Sequence, residues 1–305
     1  MVKLATSVGA LTLKNPVLAA SGTFGYGLDL VDFCPPEALG AVVTKGLSPK
    51  PRPGNPTPRI VETPAGMINS IGLQNIGVEA FCSGVLPVLR ARGACVVVNV
   101  FGETEEAYAA VIERLEREDG LAAYELNVSC PNVAKGGMEF GHDPRLLANL
   151  VAKLRALTPR PLWVKLSPNA PDVLATAEAA LAAGAQALSL VNTFRALSVN
   201  AKTRRPSMAT GFGGLSGPAI KPLALRILWE VHQAFPQAPL VGIGGIMTGT
   251  DAVEFLLAGA SAVQVGTATF RNPSACLAVL EELVAFCEAE GVKDVGELIG
   301  GLRWA

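Results

Sequence analysis

A short apolar run followed by a helical stretch recurs eight times along the chain, and this repetition limits the folds that the chain can adopt. Several runs are continuous and β-branched, as expected for parallel strands buried on both faces. Eight strands alternating with helices in 305 residues predict a (β/α)8 barrel, the TIM-barrel type of α/β fold. The predicted strands are residues 16–20, 41–44, 95–98, 124–126, 162–166, 187–191, 240–243 and 262–265.

The segments between the strands are rich in alanine and leucine and have helical spacing. Gly184 and Gly259 stand where a helix commonly ends at a C-cap glycine. Residues 3–6 and 11–13 predict a short N-terminal β-hairpin that closes the bottom of the barrel, and the proline-rich residues 48–61 predict an ordered loop. No linker divides the chain, so we expect one domain over residues 1–305. The predicted helices include residues 105–117, 144–157, 173–182, 223–235, 250–257 and 273–290.

Charge and cysteine content exclude several classes of function. The formal net charge is −1, so no basic surplus indicates nucleic-acid binding. The N-terminal segment contains no long apolar stretch, which predicts a cytoplasmic protein without a membrane anchor. Six cysteines are scattered without a CxxC pair, and the two histidines, His142 and His232, fit surface or loop positions better than catalytic ones. We therefore expect no metal site in this chain.

Polar residues or glycines follow all eight predicted strands. The active site of such a barrel lies at the carboxyl ends of its strands. Asparagine and lysine are poor strand residues, so their positions there predict a pocket suited to an anionic, amide-rich ligand. Any single asparagine could still be a turn or cap residue. The strand ends carry Ser21-Gly22, Lys45-Gly46, Asn99, Asn127, Lys165, Asn192-Thr193, Gly244-Gly245 and Gly266-Thr267.

The segment NVSCPN at residues 127–132 resembles the catalytic loop of class 1 dihydroorotate dehydrogenases. Further matches follow in that family's order and spacing, from about residue 15 to residue 272. They are ASGTFGYG at 20–27, TKG at 44–46, NSIGLQN at 69–75, VKLSPN at 164–169, VNT at 191–193, GGLSGPAIKP at 213–222 and GIGGI at 242–246. The resemblance implies an FMN-binding barrel that oxidises (S)-dihydroorotate to orotate in de novo pyrimidine (UMP) biosynthesis.

The resemblance also assigns substrate-site roles. Cys130 would be the general base that removes the C5 proton while a hydride from C6 reaches N5 of the flavin; a thiol can serve when its pKa lies near the operating pH. The alternative for Cys130 is an inert buried thiol. Amides suit the alternating N–H and C=O groups of a pyrimidine. The implied substrate-binding residues are Lys45, Asn69, Ile71, Gly72, Leu73, Asn127, Asn132, Asn192 and Thr193.

Lys165 resembles the lysine that the family places near N1 and O2 of the flavin, where a cation stabilises the reduced form; a lysine that merely reaches solvent from a strand end is the alternative. Glycines near the last two strands would admit the FMN phosphate, and residues 248–251 could open a helix there. The implied FMN-binding residues are Ala20, Ser21, Gly22, Lys45, Gly46, Asn99, Asn127, Lys165, Val191, Gly217, Gly244, Gly245, Gly266 and Thr267.

Within class 1, TKG at 44–46 and GGLSGPAIKP at 213–222 resemble type 1B, which passes electrons to NAD. The chain has neither a four-cysteine cluster motif nor a GxGxxG fingerprint. The resemblance therefore implies a partner subunit that carries FAD and a [2Fe–2S] cluster, in a heterotetramer built on a catalytic homodimer. Gly211-Phe212 and Phe101-Gly102 depart from the family pattern, and neither pair includes a residue assigned to chemistry.

Other functions remain open from the sequence. One is the same oxidation with fumarate as acceptor, in a type 1A enzyme. A second is a dihydropyrimidine dehydrogenase-like flavoenzyme, whose substrate lacks the carboxylate. A third is a tRNA-dihydrouridine synthase, which the near-neutral charge disfavours. The last is a barrel that binds a phosphate ligand without catalysis, which substitution of Cys130 would distinguish from an enzyme.

Overall fold

The computed structural model of the protein describes residues 2–129 and 140–304. Eight parallel strands form a closed barrel in the order β10-β15-β16-β3-β4-β7-β8-β9. The strands of the described residues are β1 Thr6–Val8, β2 Leu11–Leu13, β3 Val17–Ala19, β4 Ala41–Val43, β5 Ile60–Thr63, β6 Gly66–Asn69, β7 Val96–Val100, β8 Ala123–Asn127, β9 Leu162–Lys165, β10 Ala187–Leu190, β11 Phe194–Leu197, β12 Val199–Asn200, β13 Arg205–Pro206, β14 Phe212–Ser216, β15 Leu240–Ile243 and β16 Ala262–Val265.

Helices cover the outside of the barrel. Gly184 (φ +102°) and Gly259 (φ +115°) follow α5 and α7 in the left-handed region, as predicted for C-cap glycines. The α-helices are α1 Val78–Ala80, α2 Leu86–Ala91, α3 Glu105–Leu115, α4 Pro144–Arg155, α5 Val173–Ala182, α6 Lys221–Ala234, α7 Gly249–Leu257, α8 Ala268–Arg271 and α9 Ala275–Ala289, with a π-helix at Phe81–Val85 and 3-10 turns at Pro36–Ala38, Pro218–Ile220 and Val295–Leu298.

The predicted (β/α)8 barrel is confirmed, and each predicted strand overlaps one barrel strand. The largest differences are in β7, which continues to Val100, and β8, which begins at Ala123 and ends at Asn127. Asn99 and Asn127 therefore lie within strands rather than after them. Polar residues are tolerated there because their side chains find hydrogen-bond partners inside the barrel.

The predicted N-terminal hairpin is present, but its first strand is shifted. β1 and β2 are antiparallel with Thr6 opposite Leu13, so the first strand begins at Thr6 rather than ending there. Val8 and Leu13 are fully buried against the inner barrel residues Leu18 and Trp163. The Thr6 hydroxyl donates to the carbonyl oxygen of Ser261, just before β16, at 2.9 Å. The hairpin thus closes the amino-terminal mouth of the barrel.

A second, four-stranded sheet of order β11-β14-β6-β5 lies beyond the carboxyl ends of the barrel strands, and the sequence did not predict it. β5 occupies Ile60–Thr63, so the prediction of a loop over residues 48–61 is wrong for its last two residues. The short, partly polar strands of this sheet have no continuous apolar run that would reveal them. The sheet joins segments that follow β4 and β10.

Alternation along each strand separates two apolar cores. On β8, Tyr124 and Leu126 pack in the outer core under the helices, whereas Ala123 belongs to the inner core together with Leu18 and Trp163. Glu125, between the two outward residues, is fully buried. Across residues 2–129 and 140–304, no helix is long and apolar enough to cross a membrane. Within the same residues, no cluster of three or more histidine, cysteine, aspartate or glutamate side chains could hold a metal ion.

Candidate active site

The candidate site lies where the carboxyl ends of the barrel strands meet. β3 and β16 are neighbours there, and the Ala20 amide donates to the carbonyl oxygen of Val265 at 2.9 Å. A Cβ atom on Gly266 would lie 3.4 Å from the Cβ of Ala20, so the two backbones run side by side. Ser21 is half-buried and Gly22, at φ +89°, is exposed at the rim. These predicted cofactor contacts therefore share one edge of the mouth.

Lys45 follows β4 and carries a cation into the mouth. Burial lowers the pKa of its ammonium below the usual value, and the nearby Arg59 guanidinium lowers that pKa further, while Asp29 acts in the opposite direction. Within the described residues the Lys45 ammonium has no ion-pair partner closer than 4 Å. A half-buried cation beside a second cation favours binding of an anion, which would restore the pKa.

Two predicted substrate amides meet across the mouth. Asn192, after β10, donates from Nδ2 to Oδ1 of Asn127 on β8 at 3.2 Å. Asn192 also accepts the Thr193 amide at its own Oδ1, at 2.8 Å. The main-chain oxygen of Asn127 accepts the Tyr108 hydroxyl at 2.7 Å, which ties β8 to α3. Both side chains thus have fixed orientations, and the remaining amide valences can meet a ligand.

The segment 69–75 forms a tight loop over this edge. Leu73 has φ +57° and Gly72 has φ +75°, so two consecutive residues adopt left-handed backbone. At Leu73 this conformation costs about 1–2 kcal/mol, since a side chain disfavours that region. A Cβ atom on Gly72 would lie 2.5 Å from side-chain atoms of Asn55. The buried Asn75 anchors the loop by donating to the Leu73 carbonyl oxygen at 2.9 Å and the Ser48 hydroxyl at 2.8 Å.

The second sheet holds Asn69 and Thr193 close to each other. Asn69 ends β6 and pairs with Gly214 of β14, whose carbonyl oxygen its Nδ2 approaches at 3.4 Å. The Thr193 hydroxyl lies 2.0 Å from the position that a Cβ on Gly214 would take. The Ile71 carbonyl oxygen accepts the Asn55 main-chain amide at 2.9 Å. Six predicted substrate residues, namely Asn69, Ile71, Gly72, Leu73, Asn192 and Thr193, therefore lie on or beside this sheet.

Glycines form a concave cradle at the ends of β15 and β16. A Cβ on Gly245 would lie 2.9 Å from the carbonyl oxygen of Gly217, and one on Gly217 would lie 2.7 Å from the Cα of Gly66. Gly217, Gly244 and Gly245 all have positive φ. The Thr267 hydroxyl donates to Ser216 at 2.8 Å and closes the cradle. Such backbone can approach a phosphate closely, which side chains would prevent.

The helix expected at residues 248–251 begins where predicted, with Thr248 as N-cap of α7, but its amides are not free for a phosphate. Asp251 accepts the Met247 and Thr248 amides at 2.8 and 2.9 Å, and Glu282 accepts the Gly249 amide at 2.7 Å. Asp251 also pairs with Lys221 at 2.6 Å. The protein therefore caps the start of this helix itself, and three of the amides there already have carboxylate partners.

A buried polar cluster beneath the mouth was missed by the sequence analysis. Glu125 accepts hydrogen bonds from Asn99, Ser189 and Gln264, and all four residues are at most 1% exposed. Lys165, above them on β9, is 7% exposed. The signal was available, because each of the strands YELN, ALSL and AVQV contains a polar residue at an inward position.

Two predicted residues, Cys130 and Asn132, lie outside the described residues. The preceding residue Ser129 donates its amide to Oδ1 of Asn127 at 3.4 Å. Val191 precedes Asn192 and donates its amide to the Ile243 carbonyl oxygen at 3.0 Å. Every predicted site residue within the described ranges therefore lies at or near one mouth of the barrel.

The family model described as dihydroorotate dehydrogenase matches residues 3–287. The chain belongs to the dihydroorotate dehydrogenase family. Membership makes it an oxidoreductase and agrees with the resemblance found in its motifs. The class 1 motifs at residues 20–27 and 69–75 lie in the loops that form the mouth described above.

Relatives that match the chain over nearly its full length carry two kinds of name. A protein of Geotalea uraniireducens, named dihydroorotate dehydrogenase B (NAD(+)), catalytic subunit, is 52% identical over 299 residues, which are 98% of each chain. A Geobacter sulfurreducens protein of the same name is 50% identical over 300 residues, 98% of each chain. A Solibacter usitatus protein, named putative dihydroorotate dehydrogenase A (fumarate), is 53% identical over 302 residues, 99% of each chain.

A solved structure supports the fold. The crystal structure of DHODH from Eimeria tenella in complex with ferulenol matches with a TM-score of 0.82 and 25% identity, covering 98% of this chain and 88% of that one. The barrel and its position in the family are thus supported independently of the motifs.

Proposed function

We propose that this chain is the catalytic subunit of an NAD-linked dihydroorotate dehydrogenase and oxidises (S)-dihydroorotate to orotate with FMN bound in the barrel mouth. The observation that carries the proposal is that one barrel mouth contains both a half-buried cation, Lys45 after β4, and an oriented amide pair, Asn127 on β8 with Asn192 after β10. A substrate with a carboxylate on an amide-rich ring satisfies both features at once. A neutral dihydropyrimidine would leave Lys45 without an anion.

The substrate would be held by residues of both sheets. The Lys45 ammonium would pair with the substrate carboxylate, and side chains of Asn69, Asn127, Asn132 and Asn192 would meet the ring N–H and C=O groups. Thr193 would add a hydroxyl. The main chain of Ile71, Gly72 and Leu73 would contribute from the strained loop, whose geometry is fixed by Asn75 before the substrate arrives. Such preorganisation reduces the entropic cost of orienting the ring.

The residues present fit FMN. Asn99 has a buried side-chain oxygen without a hydrogen-bond partner in the described chain, facing Gly46. The glycine cradle of Gly217, Gly244, Gly245, Gly266 and Thr267 suits the phosphate. The remaining cofactor contacts would come from Ala20, Ser21, Gly22, Lys45, Asn127, Lys165 and Val191. All of these residues would belong to one domain of residues 1–305. When bound, FMN would supply the hydride acceptor, and the Lys165 charge would stabilise its reduced form.

Cys130 would act as the general base. Its thiolate would take the proton from C5 of dihydroorotate while C6 loses a hydride, so that a C=C bond forms between the two carbons. Asn127, three residues earlier in the chain, is held by its hydrogen bond with Asn192. A base within reach of the proton contributes about 10²–10⁴-fold to such a step.

For the electron acceptor, the names of the relatives favour NAD. Since several of them are named catalytic subunits, we propose a partner subunit that carries FAD and a [2Fe–2S] cluster. Fumarate is the second candidate, because the Solibacter usitatus relative carries that name at 53% identity. The exposed pair Leu197 and Phe212, cross-strand neighbours in the second sheet, supports a homodimer. The expected cytoplasmic location stays a prediction.

The test is the visible spectrum of the purified chain under anaerobic conditions, before and after addition of dihydroorotate. Bleaching of a flavin band is expected, and dihydrouracil should leave that band unchanged. A band that dihydroorotate does not bleach would contradict the substrate assignment. A protein that stays colourless after incubation with FMN would contradict the cofactor assignment. Adding fumarate to the reduced protein then distinguishes the acceptors, because only a type 1A enzyme reoxidises rapidly.

A further inference from the structure

The barrel interior contains a carboxylate that the proposed reaction does not use. Glu125 is fully buried, and its side chain crosses the barrel axis to Gln264 on β16, which is diametrically opposite β8 in the closed strand order. Burying a carboxylate is costly unless several donors compensate it. Its position under the mouth therefore suggests a role beyond packing.

Three donors from three other strands converge on the Glu125 carboxylate. Oε1 accepts Asn99 Nδ2 at 2.8 Å, while Oε2 accepts the Ser189 hydroxyl at 2.7 Å and Gln264 Nε2 at 2.6 Å. The two carboxylate oxygens accept all three hydrogen bonds, so they decide which end of each amide faces Glu125. For Asn99 the nitrogen must point down to Glu125, and the oxygen must point away from it.

The Asn99 oxygen turned away from Glu125 faces the proposed flavin pocket. It lies 2.9 Å from the position of a Cβ on Gly46, is buried, and has no hydrogen-bond partner in the described chain. A buried acceptor left unpaired is unfavourable, and a ligand donor that pairs with it would remove that cost. The amide is thus held with its acceptor, and not its donor, toward the mouth.

We infer that Glu125 is a positioning residue for flavin binding: it fixes the amide of Asn99 so that the pocket presents a hydrogen-bond acceptor to the isoalloxazine ring. The inference rests on the proposed FMN site. It concerns the orientation of one amide, whereas the proposed function requires only that FMN binds. Ser189 and Gln264 share the other carboxylate oxygen and hold Glu125 itself in place.

The substitution Glu125→Gln is isosteric and tests the orientation directly. The carbonyl oxygen of the new amide can keep the bonds from Ser189 and Gln264, but its nitrogen then faces Asn99 Nδ2. Two donors cannot share that contact, so in the orientation that keeps both other bonds the Asn99 amide rotates and turns its nitrogen toward Gly46. The FMN affinity of the flavin-free protein should fall by about tenfold to a hundredfold.

The double variant Asn99→Asp with Glu125→Gln exchanges the polarity of the pair. The new amide nitrogen at position 125 can donate to the new carboxylate at position 99, whose other oxygen again presents an acceptor toward Gly46. The bonds from Ser189 and Gln264 remain. FMN affinity should return to within about tenfold of the wild type, a non-additive result expected only for interacting residues. Ser189→Ala removes one bond to Glu125 but leaves the bond between Glu125 and Asn99, so it should lower FMN affinity less than E125Q does.

The experiment is a fluorescence titration of flavin-free protein with FMN, with the thermal unfolding of each apoprotein recorded beside it. Weak binding by E125Q together with recovery in the double variant supports the inference. Wild-type affinity in E125Q, or no recovery in a folded double variant, overturns it. Should E125Q fail to fold, the affinity of the double variant alone decides. Failure of the wild type to bind FMN would instead overturn the proposed function.

Discussion

A methyl group at Gly245 tests whether the glycine cradle binds the cofactor phosphate. Gly245 has φ +75°, and its added Cβ would lie 2.9 Å from the Gly217 carbonyl oxygen and 2.8 Å from the Lys221 Cβ. These are main-chain and inner side-chain atoms, so the backbone of the cradle must shift to admit alanine. We expect Gly245→Ala to weaken FMN binding, whereas alanine at a left-handed glycine outside the cradle should leave that binding unchanged.

The cost of the alanine has two parts, one from the left-handed backbone and one from overpacking. They can be separated because the chain offers a matched control. Gly93 has nearly the same φ, +72°, with nothing within 4 Å of an added Cβ, and lies at the opposite end of the barrel after α2. Alanine at either position costs about 1–2 kcal/mol for left-handed backbone. Only Gly245→Ala adds overpacking, which costs about 1–3 kcal/mol. If the resulting shift displaces the phosphate contacts, this cost corresponds to about a fivefold to 150-fold loss of FMN affinity.

The assay combines thermal unfolding of the flavin-free proteins with fluorescence titration of FMN. Both variants should unfold at a temperature a few degrees below that of the wild type. In a chain somewhat smaller than this one, each kcal/mol of lost stability lowers the unfolding midpoint by about 2–4 °C. Only Gly245→Ala should bind FMN more weakly than the wild type. Equal FMN affinity in the wild type and Gly245→Ala would refute the assignment of the cradle to the phosphate, whatever the unfolding temperatures.

Three other properties of the site can be tested in the same way. Orotate binding should weaken as pH rises through the lowered pKa of Lys45, since only the cation pairs with a carboxylate. In a calorimetric titration, Lys45→Met should remove this pH dependence. The same pH profile in Lys45→Met and the wild type would contradict the pairing. Cys130→Ala should slow anaerobic flavin reduction by about 10²–10⁴-fold yet retain orotate binding, and rapid reduction would eliminate Cys130 as the base. Phe212→Glu should shift the protein toward monomer in sedimentation velocity, because Phe212 and Leu197 are exposed cross-strand neighbours in the second sheet, whereas persistence of a dimer would place the interface elsewhere.

The sequence was sufficient for the barrel because its eight strands are short, largely apolar runs that alternate with helical stretches. Val263, Leu188 and Val97 are buried at 0% exposure, as parallel strands between two cores require. The second sheet was missed because its pairing depends on tertiary contacts. β14 reads FGGLS and contains two glycines, which local propensity disfavours in a strand, yet it pairs with β6 and β11 at once.

Site residues that follow a strand could be predicted from the sequence. Residues that act by holding another side chain in place could not. Lys45 and Asn192 follow strands and could be found from the rule for barrels. Glu125 could not be assigned a role, because its partners Asn99 and Gln264 are 26 and 139 residues away in the chain. The capping of α7 by Asp251 was likewise invisible without the distances that show which amides are taken.

The second sheet makes the two loops that carry it interdependent in evolution. Asn69 comes from the connection after β4 and Thr193 from the connection after β10, yet main-chain pairing between β6 and β14 fastens them together. A connection taken from a relative would have to fit one side of this shared ladder of hydrogen bonds. A change in either connection therefore acts on the position of both Asn69 and Thr193.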